Sequence, residues 1–174
     1  EAIRMKFSEA WLRTMANPPL ATAALCDVLT MAGLEVEETQ AAAPAFTGVV
    51  VARIERVEPH PDAERLRLCT VDVGTAQRLA IVCGAPNAAV GMIVPCALVG
   101  ARLPGGVAIE RAKVRGIVSE GMLCSAKELG LAEDASGLLV LADDLPPGTD
   151  LRTALALDDT LITFRVGAWA GSSR

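Results

Sequence analysis

The chain has 174 residues, 52% of them hydrophobic, with a mean hydropathy of +0.40. That is enough for one medium core or two small ones, and it is not a disordered composition. The apolar runs at 79–83 and 137–142 stop well short of the roughly 18 to 20 residues that a membrane span needs, so no bilayer crossing is expected. Sixteen basic against 21 acidic side chains give a net charge of -5 and a pI near 4.9, which argues against a general polyanion binder.

Five cysteines, Cys26, Cys69, Cys83, Cys96 and Cys124, are widely spaced and form no C-x-x-C pair. A secreted disulfide framework or a zinc module favours even counts or close pairs, so a reducing, cytoplasmic setting and core thiols are expected. Glu1 to Arg4 lack the apolar stretch of a signal peptide, and Met5 reads as an initiator behind a short foreign remnant at 1–4.

In chain order, Ser8 is placed to cap a helix through Ala16 that carries Trp11, Leu12 and Met15, and Asn17-Pro18-Pro19 stops it. A second helix is expected over Ala21–Ala32, with Gly33 as a left-handed C-terminal cap. A strand follows at Leu34–Glu38, then a proline-containing linker at 39–45. Beyond it the periodicity becomes two, with Val50, Ala52 and Ile54 on one face and Arg53 and Glu55 on the other. Further strands are expected at Leu66–Val73, Arg78–Cys83, Met92–Val99 and Val107–Val114. Five short strands punctuated by Gly, Pro, Asn and Asp suggest a small β-barrel of the OB type. A short helix is then expected within Gly121–Gly130, a strand at Leu138–Ala142, and a last helix near Leu151–Leu155 capped by Thr149 or Asp150. No ordered element is expected over Arg165–Arg174.

Residues able to carry chemistry are sparse. His60, the only histidine, has no second histidine or serine-nucleophile motif with which to build a triad or a zinc site; the prolines around it favour a packed or hydrogen-bonded turn residue. The clusters 83–87 (Cys-Gly-Ala-Pro-Asn) and 119–125 (Ser-Glu-Gly-Met-Leu-Cys-Ser) match neither a nucleophile elbow nor a phosphate or dinucleotide loop. Cys124 would act as a nucleophile only with a lowered pKa, and burial as a small hydrophobe is the simpler reading. Asp143-Asp144 and Asp158-Asp159 read as solvated acidic faces.

Counted locally, charge tells another story. Between Thr47 and Leu131 ten basic residues stand against eight acidic ones, while the flanks on either side are acidic. Arginine supplies most of that positive charge, and its planar fork suits phosphate. With no Trp or Tyr in this window, recognition of a folded RNA by shape and backbone fits better than sequence-general base stacking.

Three ordered motifs sharpen the reading. The first runs from His60-Pro61-Asp62-Ala63-Glu64-Arg65-Leu66 to Cys69-Thr70-Val71-Asp72-Val73-Gly74. The second is Ile81-Val82-Cys83-Gly84-Ala85-Pro86-Asn87 followed by Gly91. The third joins Val114-Arg115-Gly116, the 119–125 cluster and Glu128-Leu129-Gly130-Leu131. Together they resemble the tRNA-binding OB domain family. The flanks, through Met5-Lys6-Phe7-Ser8-Glu9-Ala10-Trp11-Leu12, Asn17-Pro18-Pro19-Leu20 and Leu29-Thr30-Met31-Ala32-Gly33-Leu34-Glu35-Val36-Glu37, are similar to the amino terminus of the beta-subunit family of bacterial phenylalanine-tRNA ligases.

The resemblance implies a mainly β fold with α+β flanks, in which a five-stranded OB barrel (39–150) is inserted into a small α/β domain (5–38 and 151–164). It stops near Phe164, where 165–174 depart from the family pattern, as a foreign tail or a frame change would. It further implies a parent enzyme that joins phenylalanine to tRNA using ATP and magnesium as an alpha-beta heterotetramer, with tRNA and the alpha subunit as partners. The portion present here would be noncatalytic, with no cofactor or metal of its own. Lys113, Arg115 and Lys127 are the expected phosphate contacts, and Asn87, Ser119, Met122 and Ser125 the expected groove lining. Core packing for Met122 and helix capping for Ser119 and Ser125 are the competing readings. Two other roles stay open: a docking module within the synthetase, and a free-standing tRNA chaperone.

Overall fold

The computed structural model describes residues 3–166. These divide into two compact units, one formed by the segments up to Ala42 and from Asp158 onward and one by Ala43–Leu157.

The first unit is a three-stranded antiparallel sheet with two helices. Its strands are β1 (Ile3–Ser8), β2 (Leu34–Ala41) and β10 (Thr160–Val166), with β10 in the middle. Ile3 and Arg4, read as a foreign remnant, pair with Val166 and Arg165, so the first two residues of the expected unstructured tail also lie in a strand. The rest of that tail, 167–174, lies outside the described residues. β1 alternates Ile3, Met5 and Phe7 with Arg4, Lys6 and Ser8, the period-two signature of a half-covered strand. β2 runs on through Thr39–Ala41, the start of the expected linker, because each of those residues finds a partner on β10.

Helix α1 (Glu9–Met15) begins where Ser8 takes the Trp11 N–H on its hydroxyl at 3.0 Å, a side-chain N-cap. Helix α2 (Thr22–Met31) ends at Gly33, whose φ of +96° is the left-handed conformation a helix stop requires. Between the helices Glu9 is buried. Its carboxylate accepts two bonds from Arg13, at 2.9 and 2.7 Å, and one from the Thr22 hydroxyl at 2.9 Å.

The second unit is the barrel. Strands β3 (Thr47–His60), β4 (Ala63–Asp72), β5 (Leu79–Cys83), β6 (Ile93–Arg102) and β9 (Gly121–Leu123) form one antiparallel sheet in the order β5-β4-β3-β6-β9. The two edges meet: the Glu120 N–H donates to the Ala80 carbonyl at 2.9 Å, and the Val82 N–H donates to the Ser119 hydroxyl at 3.1 Å. Closure spares the sheet exposed edges, and the result is an OB-like, nearly closed five-stranded barrel.

Three sequence expectations fail here. The fifth barrel strand is β9, not Val107–Val114, of which only β7 (Ala112–Val114) is extended; β7 forms a separate hairpin with β8 (Ile117–Ser119). β9 also occupies the start of the expected helix at Gly121–Gly130, because Leu98, Ala97 and Cys96 on β6 offer it a partner. Leu138–Ala142 is irregular: Leu139 donates to Cys124 and Leu141 to Ile93, so the segment bonds two different neighbours and never follows one.

β3 buries both faces. Val49 and Val51 join a cluster with Phe46, Leu129 and Leu151, whereas Ala52 and Ile54 face Val71, Ile81 and Val94. The simple alternation expected from Val50 onward therefore breaks at Val51 and Ala52, which are both buried, and Val50 is only half-buried. Helix α3 (Leu151–Ala154) is capped by Asp150, which takes the Thr153 N–H at 3.1 Å. Arg152 stacks its guanidinium 4.9 Å above the Phe46 ring.

Candidate nucleic-acid interface

A cleft of about 420 Å³ opens on the barrel. One wall is the end of β5 and the turn after it (Val82 to Pro86), a second is Met122 to Glu128, and a third is Ala135 to Leu138. Of the residues expected at the site, Met122, Ser125 and Lys127 line it.

Asn87 and Ser119 do not line it, and the reason is visible in their bonding. The Asn87 amide accepts the Leu138 N–H at 2.8 Å and donates to the Leu138 carbonyl at 3.1 Å. It mimics a strand partner and fixes the third wall from behind. A Cβ on Gly137 would come 2.4 Å from the Asn87 oxygen, which explains the glycine beside it. Ser119 is buried, takes the Val82 N–H and donates to the Gly121 carbonyl at 2.9 Å, so its hydroxyl holds the barrel closure. Ser125 lines the cleft but is also engaged: its N–H and hydroxyl donate to the Glu128 carboxylate at 2.6 and 2.8 Å, and the Glu128 N–H returns to the hydroxyl at 3.3 Å. This is the reciprocal arrangement of a capping box.

Lys113 and Arg115 stand on the β7–β8 hairpin, both exposed. Arg115 and Gly116 form its two-residue turn with φ of +46° and +91°, the left-handed pair that matches the twist of a tight hairpin. The buried His60 ring ties this hairpin to the β3–β4 turn: its Nδ1 accepts the Asp62 N–H at 3.1 Å and its Nε2 lies 3.4 Å from the Val114 carbonyl. The histidine is thus a hydrogen-bonded turn residue.

Arg67 stands directly opposite Cys83 across β4 and β5, and directly opposed residues share a face, so Arg67 belongs to the side on which Cys83 lines the cleft. Strand parity from Arg67 to Cys69 carries the signal, since Cys69 is a buried inward position. Arg65 is exposed on the same strand. Among the described residues, none of Arg65, Arg67, Lys113, Arg115 and Lys127 is paired with a carboxylate, whereas Arg78 and Arg111 are held by Glu55, Asp72 and Glu120.

The cysteines divide by environment. Interaction with the neighbouring Cys69 thiol, against the opposing effect of burial and with help from the Ala85 N–H and Arg67, lowers the Cys83 pKa to about 7. The same interaction and burial raise Cys69. Burial pushes Cys96 and Cys124 up to about 12, which fits Cys124 as a core thiol. Among the described residues no group of three or more His, Cys, Asp or Glu side chains is arranged to hold a metal, and no helix is long and apolar enough to cross a membrane.

A solved MetRS-related protein from Pyrococcus horikoshii matches 59% of this chain and 87% of its own, with a TM-score of 0.43 and 20% identity. The chain is 62% identical to the phenylalanine-tRNA ligase beta subunit of Bordetella parapertussis and 60% identical to that of Aromatoleum aromaticum, in each case over 93% of its own length. It spans about a fifth of the length of these relatives, 20% of each. Residues 49–150 match the family described as "Putative tRNA binding domain". That match covers more than half of the chain, which therefore belongs to the tRNA-binding domain family.

Proposed function

We propose that this chain is the noncatalytic, tRNA-binding and positioning portion of a phenylalanine-tRNA ligase beta subunit. The sequence reading sets the binding domain at 39–150 and the small α/β domain at 5–38 with 151–164; the compact units divide instead after Ala42 and after Leu157, since β2 runs to Ala41 and Leu151 packs in the barrel core. The observation that carries the proposal is a set of cations without carboxylate partners on the barrel unit: Lys127 on the cleft lining, Arg67 across β4 and β5 from the lining residue Cys83, and Lys113 and Arg115 on the hairpin that His60 anchors. Cations without protein partners are free to replace the counterions of an RNA backbone. Met122 offers an adaptable apolar contact within the cleft, while Asn87, Ser119 and Ser125 hold its shape.

In this reading the parent enzyme, a cytoplasmic alpha-beta heterotetramer, attaches phenylalanine to its tRNA. ATP and magnesium bind in parts of the enzyme outside this chain.

A salt titration of tRNA binding tests the proposal. Lys113→Ala with Arg115→Ala should weaken binding and flatten the dependence of log K on log salt by about 0.9 per lost duplex phosphate contact, or about 0.7 per single-stranded one. An unchanged slope removes these residues from the interface. Absence of binding even at low salt favours the second reading, a docking module within the synthetase, for which the exposed Trp11, Met15 and Met31 of the first unit speak.

A further inference from the structure

We propose that His60 is a positioning residue for tRNA: its buried imidazole holds the tip of the β7–β8 hairpin, and with it Lys113 and Arg115, where the two cations meet phosphate. The role assigned to those cations rests on the functional reading above. The hairpin is a two-stranded sheet of its own with three residues to each strand, and a lone ribbon of that size is marginal in water. Its base is fastened, because Ser119 takes the Val82 N–H and Glu120 pairs with Arg111. Its tip stands in the open. A Cβ on Gly116 would meet nothing within 4 Å, and Lys113 and Arg115 are exposed. Among the described residues, the one hydrogen bond that joins 113–118 to the rest of the barrel is that between His60 and Val114, the residue between the two cations.

The partners fix the tautomer of the ring. Asp62 presents its N–H to Nδ1, so Nδ1 keeps its lone pair and the ring proton sits on Nε2, facing the Val114 carbonyl. Burial makes both bonds count, since a buried ring nitrogen that loses its partner has no water to replace it. Arg115 shows independently that the tip is built for use. Its φ of +46° is left-handed, at a turn position that ordinarily takes Asn, Asp or Gly. Costly backbone of this kind persists where the surrounding structure holds it, and it clusters at functional sites. An arginine on a swinging hairpin would gain little from that conformation, because apparent affinity falls with the fraction of time the tip is misplaced.

Three variants test the tether. His60→Phe keeps a ring and removes both nitrogens. His60→Asn keeps an acceptor near the Nδ1 position and has no donor that reaches the hairpin, whereas His60→Gln carries an amide N–H the same number of bonds from Cβ as Nε2. Hydrogen exchange over peptides covering 112–119 should run about tenfold faster in the Phe and Asn variants, the worth of about one hydrogen bond, and return toward the wild-type rate in His60→Gln. Unchanged exchange in Phe and Asn overturns the tether, and should His60→Phe fail to fold, the difference between Asn and Gln decides. Binding of tRNA at low salt should weaken about fivefold in His60→Asn and recover in His60→Gln. In a chain that also carries Lys113→Ala and Arg115→Ala, His60→Asn should cost no further affinity, because residues that act through one contact are not additive. An equal loss in both backgrounds overturns the positioning role and makes His60 a support of the fold at large. A wild-type chain that does not bind tRNA counts against the functional reading, and hydrogen exchange then decides the tether alone.

Discussion

The barrel and the small sheet solve the problem of burial to very different degrees. In the barrel unit, Val51, Ile54, Val71, Ile81 and Val94 are completely enclosed, and its exposed large hydrophobics are valines scattered singly over the surface. In the sheet unit, burial is confined to Leu25, Ile162, Phe164 and the paired Glu9, while Ile3, Met5, Trp11, Met15, Val28 and Met31 stand more than half exposed. Size explains part of the contrast. The barrel unit spans Ala43–Leu157, whereas the two terminal segments contribute fewer than 60 residues, and small units bury a smaller share of their surface. Topology explains the rest, since a closed sheet has an inside and a three-stranded sheet with two short helices has a face to spare.

This contrast leads us to expect two unfolding transitions instead of one. Trp11 stands on α1 and no tryptophan lies within 43–157, so in a Trp169→Phe background tryptophan fluorescence reports the sheet unit while far-ultraviolet circular dichroism is dominated by the barrel. The fluorescence transition should come at lower denaturant, and coincident transitions would mean that the units unfold together. The largest single effect is expected from Ile54→Ala, which removes a fully enclosed side chain from the barrel interior. It should cost about 3 kcal/mol in the circular-dichroism transition and leave the fluorescence transition in place.

Within the sheet unit the strongest expected effect is electrostatic. Glu9→Ala strips the partly buried Arg13 of its carboxylate partner and the Thr22 hydroxyl of its acceptor, leaving the guanidinium only the neutral oxygens of Asn17, Pro18 and Leu20. Breaking such a pair from one side leaves its charge uncompensated, a loss of about 2 kcal/mol after allowance for the partial exposure of Arg13. Chemical denaturation followed by fluorescence would measure it, and a shift of the barrel transition instead would contradict the division into units.

Ser8→Ala should cost about 1 kcal/mol, the usual value of a helix N-cap, and its effect should depend on pH. Burial tends to raise the Asp159 carboxyl, but bonds from the Ser8 hydroxyl and from the Ala10 and Thr160 N–H groups outweigh it and hold the group below the ordinary carboxylate value of 3.8. A group depressed in the folded state stabilises above its unfolded pKa, and that stability is lost as pH falls through the folded one. The difference between wild type and Ser8→Ala should thus be full at neutral pH and shrink below about pH 4. A difference independent of pH would separate the cap from the carboxylate.

The parts legible in the sequence were those fixed by local chemistry. Ser8 before an apolar helical stripe, Gly33 after one and Asp150 before another each marked a terminus through the bond or dihedral the terminus needs. Four of the five barrel strands were likewise readable from alternation and punctuation. β9 was not, because three residues are too few to show a period and their partners lie on β6, distant in sequence. β1 carried a clear alternation that the reading of 1–4 as a foreign remnant concealed. At the candidate site, side-chain type does not separate Lys127, which lines the cleft, from Asn87 and Ser119, which are bonded behind it; only the fold does. Arg67 comes opposite the cleft residue Cys83 only once β4 and β5 are in register.

The smallest expected effect probes the exposed side of the comparison. Met31 ends α2 with 89% of its surface exposed, so Met31→Gln removes no buried apolar area and should change stability by less than about 0.5 kcal/mol. Glutamine also has a helix propensity close to that of methionine, which leaves little for the backbone to register. A loss above about 1 kcal/mol would mean that the side chain is covered in solution, and its dependence on protein concentration would say by what: a loss that grows with concentration indicates a second copy, because binding that favours the folded state adds stability by mass action. In that event the sheet unit would bury its spare face by association, and its contrast with the barrel would be one of partners instead of packing.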